Sequence, residues 1–428
     1  MIQKISIDNF NILIVIQSLI LLSALRNISF FYHILIFLLC AIIIISIIKN
    51  NLIPSGFLFL IFSIYFVFSI WLIAWSGIYM QSWNFLPGIP RLFIVLVFTM
   101  LAFMVLKDEK NFIVMLRVLL FCYFIGALSV IYQIFFGEIS WFAPQFMRAH
   151  LNRYSSILGS LTIYGSIVGY GLLMVYSSVL FKKKLLYKII MFVSLLSGAF
   201  FSLSKAGIVM IGLSFVVYLL FDFKSIVERA KLKSVLLLFV SLSFIFLILV
   251  QFDNFNIYYN SIVTQTIGSS SIFSSGDRVF MDSPSVSIES ILKRLFYWTS
   301  SMYKEYGNMV LFSGIGFQGG AGTLAVTTDV GNHFASSHNA LGDIFFIGGP
   351  LYLTLFILLF CTAQFVFIKD RANKTSRLFF MLNILFMANL LVASGSVWHP
   401  AISLPFWLSI VYANIRNKAS HRYLNPTK

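Results

Sequence analysis

The run Ser336-Ser337-His338-Asn339, with Asp343 close behind and Gly348-Gly349 beyond it, concentrates the side chains best able to move a proton. Histidine is the residue most readily poised as a base near neutral pH, and Asn339 and Asp343 could orient it or its substrate. A lone histidine serves structure more often than catalysis, but the polar neighbours of His338 favour the catalytic reading. His333 stands just upstream. His-x4-His is not the zincin spacing and lacks the intervening glutamate, so no metal site is read there.

Several cations complete the inventory. Arg148 and Arg153 flank His150 ahead of an apolar run. Lys205 divides two apolar runs with about 25 Å of helix on either side, short of the ~30 Å of a hydrocarbon core. It therefore belongs at or just below the interface, either snorkelling to close a tight hairpin or binding an anionic group. Arg278 follows Gly276-Asp277 and reads first as a plain loop charge. Arg294 precedes Trp298 by one helical turn, so both project from one face, whether solvated or ligand-binding. The chain has no Asp-x-Asp or Glu-x-Asp pair for a divalent ion, no P-loop and no Gly-x-Ser-x-Gly.

The elements that must hold these residues follow from composition. Of 428 residues, 60% are hydrophobic and 10% charged, and the mean hydropathy is +0.94. A soluble or disordered chain cannot accommodate that balance. An outer-membrane barrel would alternate apolar with polar residues; here apolar runs of roughly 16–25 residues match the helical span of a bilayer. The expected fold is all-α and polytopic, with about twelve spans: 8–25, 28–48, 53–75, 90–106, 112–136, 155–180, 186–203, 206–222, 234–251, 341–368, 378–396 and 401–415. The first run, after Lys4, reads as an uncleaved signal anchor. Cys40, Cys122 and Cys361 all fall in apolar runs and imply no disulfide framework.

The net charge of +16 suggests nucleic acid until it is mapped. With both termini inside, 21 of the 30 basic residues fall in inner segments and 9 outside. That is the positive-inside signature, and nucleic acid is excluded as a partner. Intramembrane acids are nearly missing, which argues against an ion-coupled carrier. Three regions result: spans one to nine in residues 1–251, a large outer loop in 252–340, and spans ten to twelve with an inner tail in 341–428. Within the loop, Ser283 and Pro284 open an expected helix over 284–306 whose apolar stripe, Ile288, Ile291, Leu295, Trp298 and Met302, suits a membrane surface. A glycine-rich turn (Gly314, Gly316, Gly319, Gly320, Gly322) leads back to His338.

In this order the motifs resemble the O-antigen polymerase and ligase superfamily, bacterial inner-membrane glycosyltransferases of polyprenyl-diphosphate-linked sugars. Arg153-Tyr154-Ser155-Ser156 is similar to the first periplasmic arginine motif, and Ser202-Leu203-Ser204-Lys205-Ala206-Gly207 to the Ser-x-Ser-Arg turn. Arg294 with Trp298, then Leu311-Phe312-Ser313-Gly314-Ile315-Gly316, resembles the Arg-x3-Trp and Gly-x-Gly elements. Ser337-His338-Asn339 with Asp343 and Gly348 resembles the His-Asn signature. The layout covers most of the chain, the motifs mainly residues 148–350. One departure is Lys205, where the family usually has arginine; lysine keeps the charge but loses the bidentate fork.

The resemblance implies a GT-C-like glycosyltransferase of lipopolysaccharide biosynthesis, with its site facing the periplasm. Its substrates would be two undecaprenyl-diphosphate-linked oligosaccharides, donor and acceptor, with membrane lipids and a chain-length regulator protein as further partners. Arg153, Lys205, Arg294 and, more weakly, Arg278 would bind diphosphate. His338 would deprotonate or orient the acceptor hydroxyl, supported by Asn339 and Asp343. Tyr297 and Trp298, with other loop aromatics (Tyr258, Tyr259, Phe273, Tyr303), could stack on sugars or anchor the loop. No cofactor and no metal is implied. Polymerase is favoured over ligase by the divergent match and the Phe-, Ile- and Lys-rich composition. A lipid-linked-oligosaccharide flippase is the rival of another class, disfavoured by the large outer loop.

Overall fold

The computed structural model describes residues 9–28, 31–49, 54–79, 89–142, 146–148, 151–177, 179–181, 185–202, 205–229, 307–308, 313–314, 316–317, 339–392 and 397–424. The helices are α1 (Asn9–Leu21), α2 (Phe31–Lys49), α3 (Phe57–Tyr79), α4 (Ile89–Val105), α5 (Glu109–Phe136), α6 (Leu161–Tyr176), α7 (Leu185–Phe201), α8 (Lys205–Arg229), α9 (Ala340–Lys369), α10 (Lys374–Val392) and α11 (Pro400–Leu424). A short 3-10 helix, Ser23–Asn27, links α1 to α2. Strands β1 (Phe146–Arg148) and β2 (Leu151–Arg153) form a small antiparallel hairpin. The ninth expected span, 234–251, and most of the large loop, including the expected helix over 284–306, lie outside the described residues.

Four described helices are long and apolar enough to cross a membrane: α2, α5, α9 and most of α3. Side-chain exposure follows the same logic. Phe31 (73%), Ile48 (69%), Ile45 (65%) and Val67 (64%) turn outward, a display that water would penalise and acyl chains reward. Apart from the β1–β2 hairpin the regular structure among the described residues is helical, and its apolar helices mark a membrane-embedded protein.

The core is built around α11. Every residue from Pro400 to Asn414 is buried, so this part of the helix is enclosed by protein on all sides and carries no lipid-facing stripe. It packs against α3, α4, α5, α6, α9 and α10. Phe406, Trp407 and Tyr412 interlock with Phe386, Phe62 and Phe112.

Polar contacts gather at the two ends of the bundle. At one end Asn9 Nδ2 donates to Ser46 Oγ at 2.9 Å, closing the α1–α2 hairpin. At this end also Asn414 Nδ2 and Lys418 Nζ reach Ser55, at 3.0 and 2.8 Å. Arg416 grips Asp370 through Nε (2.7 Å) and a terminal nitrogen (2.8 Å), and hydrogen bonding to that carboxylate raises its pKa above the ordinary arginine value. Glu109, opening α5, accepts from Asn373 and from Thr375 Oγ1 at 2.7 Å. The α9–α10 turn is thereby clamped to α5 and α11.

Two helices are shorter than the hydropathy reading, whereas α8 and α11 run past the expected ends at 222 and 415. The span expected over 155–180 begins as a helix only at Leu161, because residues 155–160 turn instead. The run expected over 8–25 stops at Leu21 and tightens into the 3-10 helix. These two irregular segments touch, at the end opposite the Arg416 cluster.

Candidate functional site

The turn after Arg153 is held by saturation of its backbone. Ser156 and Gly159 exchange both N–H···O bonds at 3.0 Å. Ser156 Oγ donates to the Gly126 carbonyl at 3.0 Å, and Gln133 Nε2 to that of Ser155 at 2.8 Å. Ser23 Oγ donates to the Leu158 carbonyl at 2.7 Å and the Ala24 N–H to that of Ile157 at 3.0 Å. Buried carbonyls need such partners, so the 3-10 helix and α5 together determine where this turn sits. The two serines of Arg153-Tyr154-Ser155-Ser156 are therefore docking residues, both fully buried. Arg153 closes strand β2, with its Cα opposite that of Phe146.

Lys205 is the first residue of α8. Gly207, two residues in, lies against Gly165 of α6: a Cβ on Gly207 would stand 3.2 Å from the Gly165 Cα. Further along, Gly169 faces the Met210 backbone. The starts of α6 and α8 therefore run side by side, which brings the Arg153 segment and Lys205 to one end of the bundle.

The Gly-x-Gly element meets the α9 motif. Inside α9, Gly349 adopts φ 68° and ψ −168° just before Pro350, breaking the helix. A break frees carbonyls that must be satisfied elsewhere. The Ile347 carbonyl accepts from the Gly316 N–H at 2.8 Å, and the Phe317 N–H donates to Ser76 Oγ. Gly314 and Gly316 have φ of 71° and 72°, and Cβ atoms there would collide with Ile347 and Ser76, so the loop requires glycine at both. Asn339 caps α9, its Oδ1 accepting from Leu341 N (3.0 Å) and Gly342 N (3.1 Å). Asp343 follows in the first turn, 1% exposed. His338, Arg278, Arg294, Tyr297 and Trp298 lie outside the described residues.

The loop carries on into an aromatic wall. Phe317 meets Trp398 edge-on at 6.0 Å; Trp398 stacks on Tyr352, and Tyr352 on Tyr65 at 4.5 Å. The next residue, His399, is buried, and a Cβ on Gly159 would stand 3.1 Å from its Nε2. Contacts thus run unbroken from the Asp343 helix, through Gly316, Phe317, Trp398 and His399, to the turn after Arg153.

One arrangement escaped the sequence reading. Arg26, Tyr32, His33 and His399 line a small pocket with Ser23 and Ile94. Burial among apolar neighbours lowers the Arg26 pKa from its ordinary value, partly countered by the Tyr32 hydroxyl. The available signal was Arg26 itself, a cation in an outer segment that the positive-inside rule tends to empty.

These features define a membrane-embedded helical protein whose motif-bearing segments meet at one end of the bundle. No protein-family model and no curated protein matches the chain.

Proposed function

We propose that the chain is an O-antigen polymerase, an inner-membrane glycosyltransferase joining undecaprenyl-diphosphate-linked repeat units at the periplasmic face. The observation that carries the reading is the docking of Gly316 on Ile347. Two motifs of the resemblance, separate in sequence, meet there about one helical turn from Asp343.

In the reaction the acceptor hydroxyl attacks the donor's anomeric carbon. The bond from that carbon to the diphosphate oxygen breaks, its electron pair leaving with the polyprenyl diphosphate, and the hydroxyl proton passes to His338. The leaving group is already activated, so catalysis needs positioned cations and a base. Arg153, Lys205 and Arg294 take the diphosphate, with Arg278 in support, while Tyr297 and Trp298 offer sugar-stacking faces. Asn339 caps the helix that follows the base, and Asp343 supports from its first turn.

The test uses cells lacking the native gene. His338→Ala should lower turnover by roughly 10²–10⁴-fold, the usual contribution of general acid–base catalysis, at normal expression. Lipopolysaccharide capped with a single repeat is the expected product, with His333→Ala as the unaffected control. Normal long chains would remove His338 from the mechanism. Uncapped core with accumulated lipid-linked polymer would assign the protein to the ligases.

A further inference from the structure

The serines of α3 have no part in the transfer scheme, yet they are spaced as a set. Tyr65, Ser69, Leu72 and Ser76 recur at intervals of four, three and four, one stripe on a helix, and all four are fully buried. A serine hydroxyl inside a helix bonds back to the carbonyl one turn earlier, and both serines do so. Ser69 Oγ donates to the Tyr65 carbonyl at 2.8 Å and Ser76 Oγ to that of Leu72 at 2.7 Å. Each oxygen can still accept. That capacity is used on the two sides of the α9 break.

On the inner side, the Tyr352 hydroxyl meets Ser69 Oγ at 2.7 Å while its ring stacks on Tyr65. On the outer side, the Phe317 N–H donates to Ser76 Oγ, next to the Gly316 bond to the Ile347 carbonyl. Between the two, Leu72 presses on Gly348: a Cβ there would stand 2.8 Å from Leu72 Cδ1. Phe317 is seated edge-on against Trp398. Gly349 and Pro350 permit the break but do not fix its direction, because glycine allows many. The outer part of α9, residues 340–348, points where 347 and 348 are held. Its cap Asn339 and its first-turn Asp343 go with it.

We propose that Ser76 is a positioning residue of the candidate site. Through Phe317 and Gly316 it fixes the outer part of α9, and with it Asn339, Asp343 and the chain entering from His338. The role rests on the glycosyltransferase reading, which supplies the reaction to be positioned. One hydrogen bond is a small part of the stability of a fold of this size, whereas displacing a reacting group by about 1 Å can cost ~10²-fold in rate. Loss of the Ser76 hydroxyl therefore shows in turnover before it shows in folding.

The full-length protein in nanodiscs is given undecaprenyl-diphosphate-linked repeat units extracted from its own cells. Turnover and KM are measured beside hydrogen exchange of the Gly316 and Phe317 amides. Ser76→Ala should speed that exchange about tenfold or more and lower kcat by roughly 10–10²-fold, with KM within about twofold. Ser76→Thr, which keeps the accepting oxygen, should recover most of both. Ser63→Ala is the control: Ser63 Oγ makes the same kind of back-bond, to the Phe59 carbonyl at 2.8 Å, deeper in α3, and its loss should change neither. Unchanged exchange in a folded Ser76→Ala variant would overturn the grip on the loop. Faster exchange at wild-type kcat, or a change in KM alone, would overturn the positioning role. If Ser76→Ala does not fold, Phe317→Leu, which loosens the same loop against Trp398, carries both measurements. A wild type that joins no lipid-linked units overturns the glycosyltransferase reading and the positioning role together. A working wild type with an unaffected Ser76→Ala variant overturns the role alone.

Discussion

The Gly316 N–H donates to the Ile347 carbonyl at 2.8 Å, joining a glycine loop to a helix exactly where Gly349 and Pro350 interrupt it. A broken helix that buries its own freed carbonyl must borrow a donor, and the loop supplies one. The position of the loop against α9 thus depends on the break.

Gly316→Ala should undo that docking. Its φ of 72° disfavours any side chain, and the new Cβ meets Ser76. A loss of roughly 1–3 kcal/mol is expected, read as a lower melting temperature of the purified protein. Gly212→Ala in α8 is the control, because nothing lies within 4 Å of its Cβ. That change should be neutral or stabilising by up to about 1 kcal/mol. Equal melting temperatures for both variants would dissolve the docking argument.

Asp370→Ala should cost about 1–2 kcal/mol, since Arg416 loses a two-point partner and Ser376 Oγ loses its 2.6 Å acceptor. The pKa of Arg416 is raised in the fold. A raised folded pKa gives stability that is complete below the ordinary arginine value and lost only above it. The contribution of Arg416 should therefore be flat between about pH 7 and 9. A melting temperature that falls through that window in the wild type, but not in Arg416→Gln, would contradict this.

Sidedness follows from the distribution of Lys and Arg. Reporters fused near residues 270 and 330 should be active only in the periplasm, and those near 183 and 373 only in the cytoplasm. Reversed signals would invert the membrane orientation and remove His338 from the periplasmic face.

Glycosyl transfer should survive excess chelator, because the sequence holds no Asp-x-Asp element to fasten a metal at the diphosphate. Activity lost on chelation and restored by magnesium or manganese would refute a mechanism run on cations and a base alone.

Much of this molecule is legible along one dimension. Hydropathy against a bilayer of fixed thickness locates helices: each of α1–α11 overlaps an expected apolar run, and four of them are long and apolar enough to cross a membrane. It fails where polar contacts outweigh apolar content. Ser155, Ile157 and Leu158 belong to an apolar run, yet hydrogen bonds from Gln133, Ala24 and Ser23 hold them in a turn. Nor does hydropathy separate lipid from protein as the apolar environment: α2 shows most of its side chains outward, whereas α11 is enclosed from Pro400 to Asn414.

The candidate site divides along the same line. Residue types and spacing by themselves single out Asn339, Asp343 and the glycine-rich turn as candidates; that Asn339 caps α9 and that Gly314 and Gly316 are left-handed is decided by the fold. Placing Gly316 on Ile347, His399 over Gly159, and Arg26 in one cavity with two histidines depends on packing between helices distant in sequence. Such proximity is decided by which faces interlock and which freed backbone groups find partners. Those terms exist only once the chain is folded.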